Sequence, residues 1–190
     1  MSFLKDDYKK PASNSRYYKF AVGDNLFRIL GDAITGFIDW QDNGDGGRKP
    51  IRTAEKPERS INPAKPVKHF WAFPIWDYRE NNVKILEITQ AGIQDTIFNL
   101  HKDENWGDPK SYNLNVKRIG EDLNTKYTVV PNPPKELSPE IAKIYSETKI
   151  NLNALYEGGD PFADDKQAAP DENIPMDDIP AGEVQMPDVF

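Results

Sequence analysis

The order of strand-like and helix-like segments predicts a mainly β fold, and three observations carry that expectation. Apolar runs that alternate with polar residues, or that end at turn signals, recur between residues 17 and 131. A helical spacing interrupts them over residues 90–100, and a second one begins at Ser138. The composition then changes abruptly after Glu157, where glycine, proline and acids replace apolar residues. The predicted order is strands, hairpin, short helix, hairpin, helix, tail. A helix wedged between strands three and four is the order of an OB fold, a five-stranded, partly open barrel. A generic α+β domain uses the same elements.

Residues 1–16 read as a flexible arm: they are polar, carry Lys5, Lys9, Lys10 and Arg16, and include the helix-breaking Pro11. Two strands follow within residues 17–40. Asn25-Leu-Phe-Arg-Ile-Leu ends at Gly31, and Ile34-Thr-Gly-Phe-Ile-Asp-Trp starts after a tight turn at Gly31-Asp32. Residues 42–68 read as a loop. Asp42-Asn-Gly-Asp-Gly-Gly is turn chemistry, and its oxygens are out of register for a calcium loop. The rest of that stretch is basic, with Arg48, Lys49, Arg52, Lys56, Arg59, Lys65 and Lys68 against Glu55 and Glu58.

The best hairpin signal pairs residues 68–78 with 83–89 across Asn81-Asn82. Pro74 within it predicts an edge strand or a bulge. Ile93, Ile97 and Leu100 share one helix face, and Trp106-Gly-Asp-Pro breaks that helix. Tyr112, Leu114 and Val116 alternate with Asn113, Asn115 and Lys117 as in a half-buried strand. Residues 121–124 loop back into 125–131. Ser138-Pro-Glu has the residues of a helix start, with an apolar stripe of Ile141, Ile144, Tyr145, Leu152 and Leu155. Residues 158–190 are too acidic and proline-rich to offset chain entropy, which predicts disorder. The domain plan is therefore an arm 1–16, a body 17–157 and a tail 158–190.

Composition excludes several function classes. There is no cysteine, which removes disulfides, thiolate zinc sites and cysteine nucleophiles. Two histidines, His69 and His101, sit in no recognisable motif. No phosphate-binding glycine loop or nucleophile elbow occurs, so neither catalysis, a cofactor nor a metal is expected. No apolar run is long enough for a bilayer and the first residues lack a signal-peptide core, which predicts a cytoplasmic protein. The formal net charge of -7 is segregated: from Gly158 onward nine acids accompany one lysine, and the body is near neutral. Such asymmetry predicts an interaction tail.

Single-stranded nucleic acid asks for cations along the phosphates and flat side chains against the bases. Residues 68–78 hold Phe70, Trp71, Phe73, Trp76 and Tyr78. Alternation puts Phe70, Trp76 and Tyr78 on one side and Trp71 and Phe73 on the other. A bulge at Pro74 would shift that phase, so the exposed set stays open, as does a plain core role. The expected phosphate contacts are Arg28, Arg48, Lys49, Arg52, Lys56, Lys68, Lys84, Lys117, Arg118 and Lys126. The expected stacking pool is Phe70, Trp71, Trp76, Tyr78, Tyr112 and Tyr127.

A family resemblance adds to this reading. Asn25-Leu-Phe-Arg-Ile-Leu, Lys68-His-Phe-Trp-Ala, Trp76-Asp-Tyr-Arg-Glu-Asn-Asn-Val-Lys-Ile-Leu-Glu-Ile and Trp106-Gly-Asp-Pro-Lys-Ser-Tyr-Asn-Leu-Asn-Val-Lys-Arg resemble the single-stranded DNA-binding proteins of tailed bacteriophages. The chain looks like a compact relative of the T-even helix-destabilising protein; it has no cysteine, so that protein's zinc-binding insertion is absent or metal-free here. The resemblance covers residues 17–131. It implies an OB fold, sequence-independent binding of single-stranded DNA, and work in replication, recombination and repair. Met176-Asp-Asp-Ile-Pro and the terminal Pro187-Asp-Val-Phe are similar to the acidic tip of bacterial single-stranded DNA-binding proteins. That similarity implies a partner-binding role for Asp177, Asp178, Ile179, Pro180, Asp188, Val189 and Phe190, docking replication or recombination proteins. Two alternatives stand beside it. One is an interaction protein whose acidic tail mimics DNA; the other is a metal-dependent nuclease using Asp77, Glu87 or Asp108.

Overall fold

The computed structural model describes residues 15–164. The expectations for residues 1–14 and 165–190, the partner-binding tail residues included, lie outside the described residues. Among the described residues there are seven strands: β1 (Gly23–Ile29), β2 (Ile34–Asp42), β3 (Arg48–Thr53), β4 (Lys68–Asp77), β5 (Asn82–Ile88), β6 (Asn113–Ile119) and β7 (Lys126–Pro131). Helix α1 (Ala91–Lys102) follows β5, and α2 (Pro139–Glu147) follows β7. The strands form one antiparallel sheet in the order β3-β2-β4-β1-β6-β7, with β5 paired to β4.

Strand β4 is the hub. Along one edge β5 pairs with it from Trp71–Ile88 to Asp77–Asn82. The other edge is shared end to end, by β2 over Lys68–Ala72 and by β1 over Ile75–Asp77. The expected turn at Gly31-Asp32 therefore does not fold β1 onto β2; it carries the chain along the edge of β4 from one pairing to the next. Pro74 explains how a proline fits in a central strand. Its partner Ile85 donates to the Arg16 carbonyl and accepts from the Tyr18 N–H, both at 2.8 Å. The Pro74–Ile85 pair is thus a non-hydrogen-bonded one, and the Pro74 backbone faces the opposite edge. There its carbonyl accepts from Leu30 N–H at 3.0 Å. The N–H that proline lacks would point to that same edge, between the last β1 pair, Ile29–Ile75, and the first β2 pair, Ile34–Ala72, so neither ladder is interrupted. The register runs through without the expected bulge.

Alternation then sends β4 side chains to two covered faces. Phe73 and Ile75 join Phe27, Leu114, Ile93 and Ile97 beneath α1. Phe70 and Ala72 join Ile38, Ile85, Leu155 and Phe162 on the other side, and Trp76 packs there with Val83 and Ile141 of α2. A strand buried on both faces reads as a continuous apolar run, which is why β4 holds so many aromatic residues.

Four expectations change. The five-stranded barrel is instead an open seven-stranded sheet, and among the described residues no strand pairing joins β3 to β7. The helix follows the fifth strand because residues 48–53, expected as loop, pair with β2 from Asp42–Arg48 to Phe37–Thr53. The last helix is two: α2 stops at Glu147, and Asn151 accepts from Asn153 N–H to start a 3-10 helix over Leu152–Glu157. Ile144 of the expected stripe is exposed, whereas Leu155 is buried in the core. The packed body also passes its expected limits, since Phe162 is buried with the Arg16 guanidinium 4.6 Å above its ring. Among the described residues no helix is long and apolar enough to cross a membrane.

Candidate nucleic-acid interface

Several residues expected on a binding surface are internal. Phe70 and Tyr112 are 0% exposed and Trp76 5%, so these rings fill the core. Tyr78 is half-buried beside Trp76, its hydroxyl donating to Asn113 Oδ1 at 3.2 Å. Tyr127 is half-buried with its ring 5.5 Å from that of Phe20. Arg28 is buried and fastens two loops: Nε donates to the Lys110 carbonyl and Nη2 to the Lys135 carbonyl, each at 2.7 Å. Burial holds the Arg28 pKa below the usual guanidinium range. Lys84 is buried between Asp77 at 3.3 Å and Glu80 at 2.6 Å. Arg52 reaches across β2 and β4 to Glu87 at 2.6 Å, and Arg118 donates to the Phe20 carbonyl at 2.8 Å. Arg52 and Lys84 are neutralised by carboxylates, and the Arg28 guanidinium is buried against carbonyls, out of reach of a phosphate. Arg28, Arg52 and Lys84 are therefore corrected to structural roles.

The surface cations divide between two faces. Lys117 and Lys126 are exposed and share the parity of Asn113 and Asn115, opposite the α1 side that Leu114 and Val116 enter. Lys49 and Lys56 are exposed, Lys68 is half-buried, and Arg48 pairs with Asp42 at 3.4 Å, all around β3 and the loop after it. By register Arg48 and Lys68 lie on the face of Lys117 and Lys126, opposite α1, while Lys49 lies on the α1 side with Phe37 and His69, so the expected cations do not gather on one face.

A different aromatic surface emerges at the N-terminal end of β4. His69 and Trp71 point to the α1 side, two residues apart. His69 is exposed, and the Phe37 ring of β2 stands 5.4 Å from it, edge to face. Trp71 is half-buried and opens into a cavity of about 270 Å³. Phe98 and His101 of α1 line the same cavity. The helix is held there by Gln94, whose amide donates to the Ile88 carbonyl at 2.9 Å and the His69 carbonyl at 3.2 Å. Gln94, Phe98 and His101 recur at four and three residues, so they form one stripe beside the buried Ile93–Ile97 stripe. Phe98 is 50% exposed, with Lys102 Nζ 5.5 Å from its centroid. Phe37, His69, Trp71 and Phe98 therefore form a strip of flat, accessible rings, and His101 lines the cavity at its Phe98 end.

Charge reaches the strip from two sides. The loop between β3 and β4 leaves Thr53, cross-strand partner of Phe37, and returns at Lys68 beside His69. It carries the exposed Lys56 and Arg59. Buried Asp39 ties it down, accepting from Ser60 Oγ at 3.0 Å and from Ile61 N–H at 2.6 Å. At the cavity end Lys110 Nζ lies 2.5 Å from Asp32 Oδ1 and 3.6 Å from Asp108 Oδ2. The hydrogen bond with Lys110 holds the Asp32 pKa below the usual carboxylate range and raises that of Lys110.

Sequence reasoning missed Phe37, His69, Phe98 and His101. One signal was present for Phe98: it is an aromatic residue outside the stripe Ile93, Ile97, Leu100, so the helical spacing leaves its ring off the buried face. The nuclease carboxylates do not gather. Asp77 pairs with Lys84, Glu87 with Arg52, and Asp108 sits at the cavity rim. Among the described residues no group of three or more His, Asp or Glu is placed to hold a metal ion. No family model, no curated protein and no solved structure matches this chain.

Proposed function

We propose that this protein binds single-stranded DNA without sequence preference, with bases against Phe37, His69, Trp71 and Phe98 and phosphates toward Lys56, Arg59 and Lys102. The observation that carries this reading is the contiguous strip of accessible rings beside a cation-bearing loop. Each ring that takes a base contributes about 1–3 kcal/mol whatever the base is, because every base has a π face. The fold reading that accompanies it is an OB-type sheet, partly open, with the binding face next to the loop after β3. The resemblance to bacteriophage single-stranded DNA-binding proteins supplies the biological setting: protection of single strands during replication, recombination and repair, with the acidic tail docking partner proteins.

A gel shift with a fluorescent thymidine oligonucleotide, with and without magnesium, tests the proposal. The expected result is an uncut, retarded strand whose affinity falls steeply with salt, because released counterions drive binding. Cutting in magnesium would establish a nuclease instead. Absence of any shift at low salt would overturn the proposal and leave the DNA-mimicking interaction protein standing.

A further inference from the structure

We infer that the cavity beneath Phe98 receives a single unstacked base of the bound strand, and that Lys110 exchanges Asp32 for the phosphate of that nucleotide. The inference rests on the nucleic-acid reading above and deepens it. At about 270 Å³ the cavity falls just under the roughly 300 Å³ at which sites for drug-sized molecules begin, so it suits one flat ring system rather than a larger ligand. Its floor is apolar, with Ile29, Trp71, Phe73 and Ile97. Its rim carries His101, Asp32, Asp108 and Lys110, groups able to meet the polar edge of a heteroaromatic ring and the charge beside it. An aliphatic ligand would leave that rim unused.

The Lys110–Asp32 pair bears on affinity directly. Asp32 is 91% exposed and Lys110 38%, so water and salt screen the pair and its rupture is easy. Without nucleic acid the two rim carboxylates outnumber the lysine, which opposes a phosphate. A strand that seats a base in the cavity brings its phosphate within reach of Lys110 and displaces Asp32. Asp32 thus acts as a built-in competitor for the anion, and Lys110 as the cation it occupies.

The test uses the full chain and two strands of equal length and charge, a thymidine oligonucleotide and its abasic counterpart, followed by fluorescence anisotropy. Wild type is expected to bind the thymidine strand at least fivefold more tightly, the loss of one or more stacks. Asp32→Asn is expected to tighten binding to that strand severalfold and Lys110→Gln to weaken it, with the difference between strands shrinking in Lys110→Gln. Circular dichroism confirms the fold of each variant. A preference for the thymidine strand that Asp32→Asn and Lys110→Gln both keep in full, with unchanged affinity, would overturn the base pocket and leave the strand-binding reading intact, whereas equal binding of the two strands by wild type would overturn base contact altogether. No binding of either strand by wild type would overturn both. Free adenosine monophosphate supplies an independent arm: quenching of tryptophan fluorescence that disappears in Phe98→Ala supports the pocket, and no quenching up to millimolar ligand counts against it.

Discussion

Strand β4 carries aromatic residues along its length, but its two ends live in different surroundings. From Ala72 to Asp77 every residue is buried, with strands on both edges and packed side chains on both faces. Near Lys68 one face is closed, with Phe70 beneath Leu155 and Phe162, while His69 and Trp71 on the other face reach solvent beside Phe37 and Phe98. Ring chemistry is the same at both ends. What differs is whether a second layer covers the ring, so cover, not composition, decides which aromatic residues are free to meet a ligand.

The comparison breaks first on stability. Phe70→Ala is expected to cost about 3–5 kcal/mol, the usual loss for a buried aromatic side chain. Phe98→Ala on the open face should stay within about 0.5 kcal/mol, as for surface positions; urea melts of both variants give the contrast. Lys84→Ala comes next. It leaves Asp77, 0% exposed, without the lysine in a dry site, a change worth about 3–5 kcal/mol where the pair is fully internal. If Lys84 instead faced DNA, the variant would melt like wild type and lose affinity.

A smaller effect follows from pH. Burial pushes Tyr18 and Tyr112 up to about 12. An unfolded tyrosine ionises near pH 10, so between there and about 12 the unfolded chain has lost protons that the folded chain keeps. Stability should be complete below pH 10 and fall as pH rises through that window. Urea midpoints at several alkaline values check this, and a flat profile would mean that the two hydroxyls reach water. The smallest expected effect separates the faces of the sheet. Lys56→Ala should lower the slope of log affinity against log salt by roughly 0.7, one phosphate contact to a single strand. Lys117→Ala, across the sheet, should leave the slope unchanged.

Much of the fold was legible because local chemistry agreed with the final packing. Asn81 takes φ 53° in the β4–β5 turn, Ile93 and Ile97 face the core, and residues 113–119 pair with 126–131 across the expected loop. Strand β3 was not legible, since Arg48-Lys49-Pro50 has loop composition and becomes a strand only through its pairing with β2. Pro74 was read as marking an edge strand or a bulge because its neighbours on the far edge, β1 and β2, come from distant parts of the chain. The site was less legible than the fold. Lys84 and Arg28 look like any cation in sequence; only the tertiary placement of Asp77 and of the Lys110 and Lys135 carbonyls removes them from the surface. Trp71 was in the expected stacking pool, while its companions come from β2 and α1 and are assembled by the fold.

The most direct measurement is tryptophan fluorescence during titration with a thymidine oligonucleotide, comparing Trp71→Phe with Trp76→Phe. If bases meet the open end of β4, wild type and Trp76→Phe quench on binding and Trp71→Phe loses most of the signal. Quenching that survives in Trp71→Phe and vanishes in Trp76→Phe would contradict the account, because it would put the ligand on a ring that is 5% exposed.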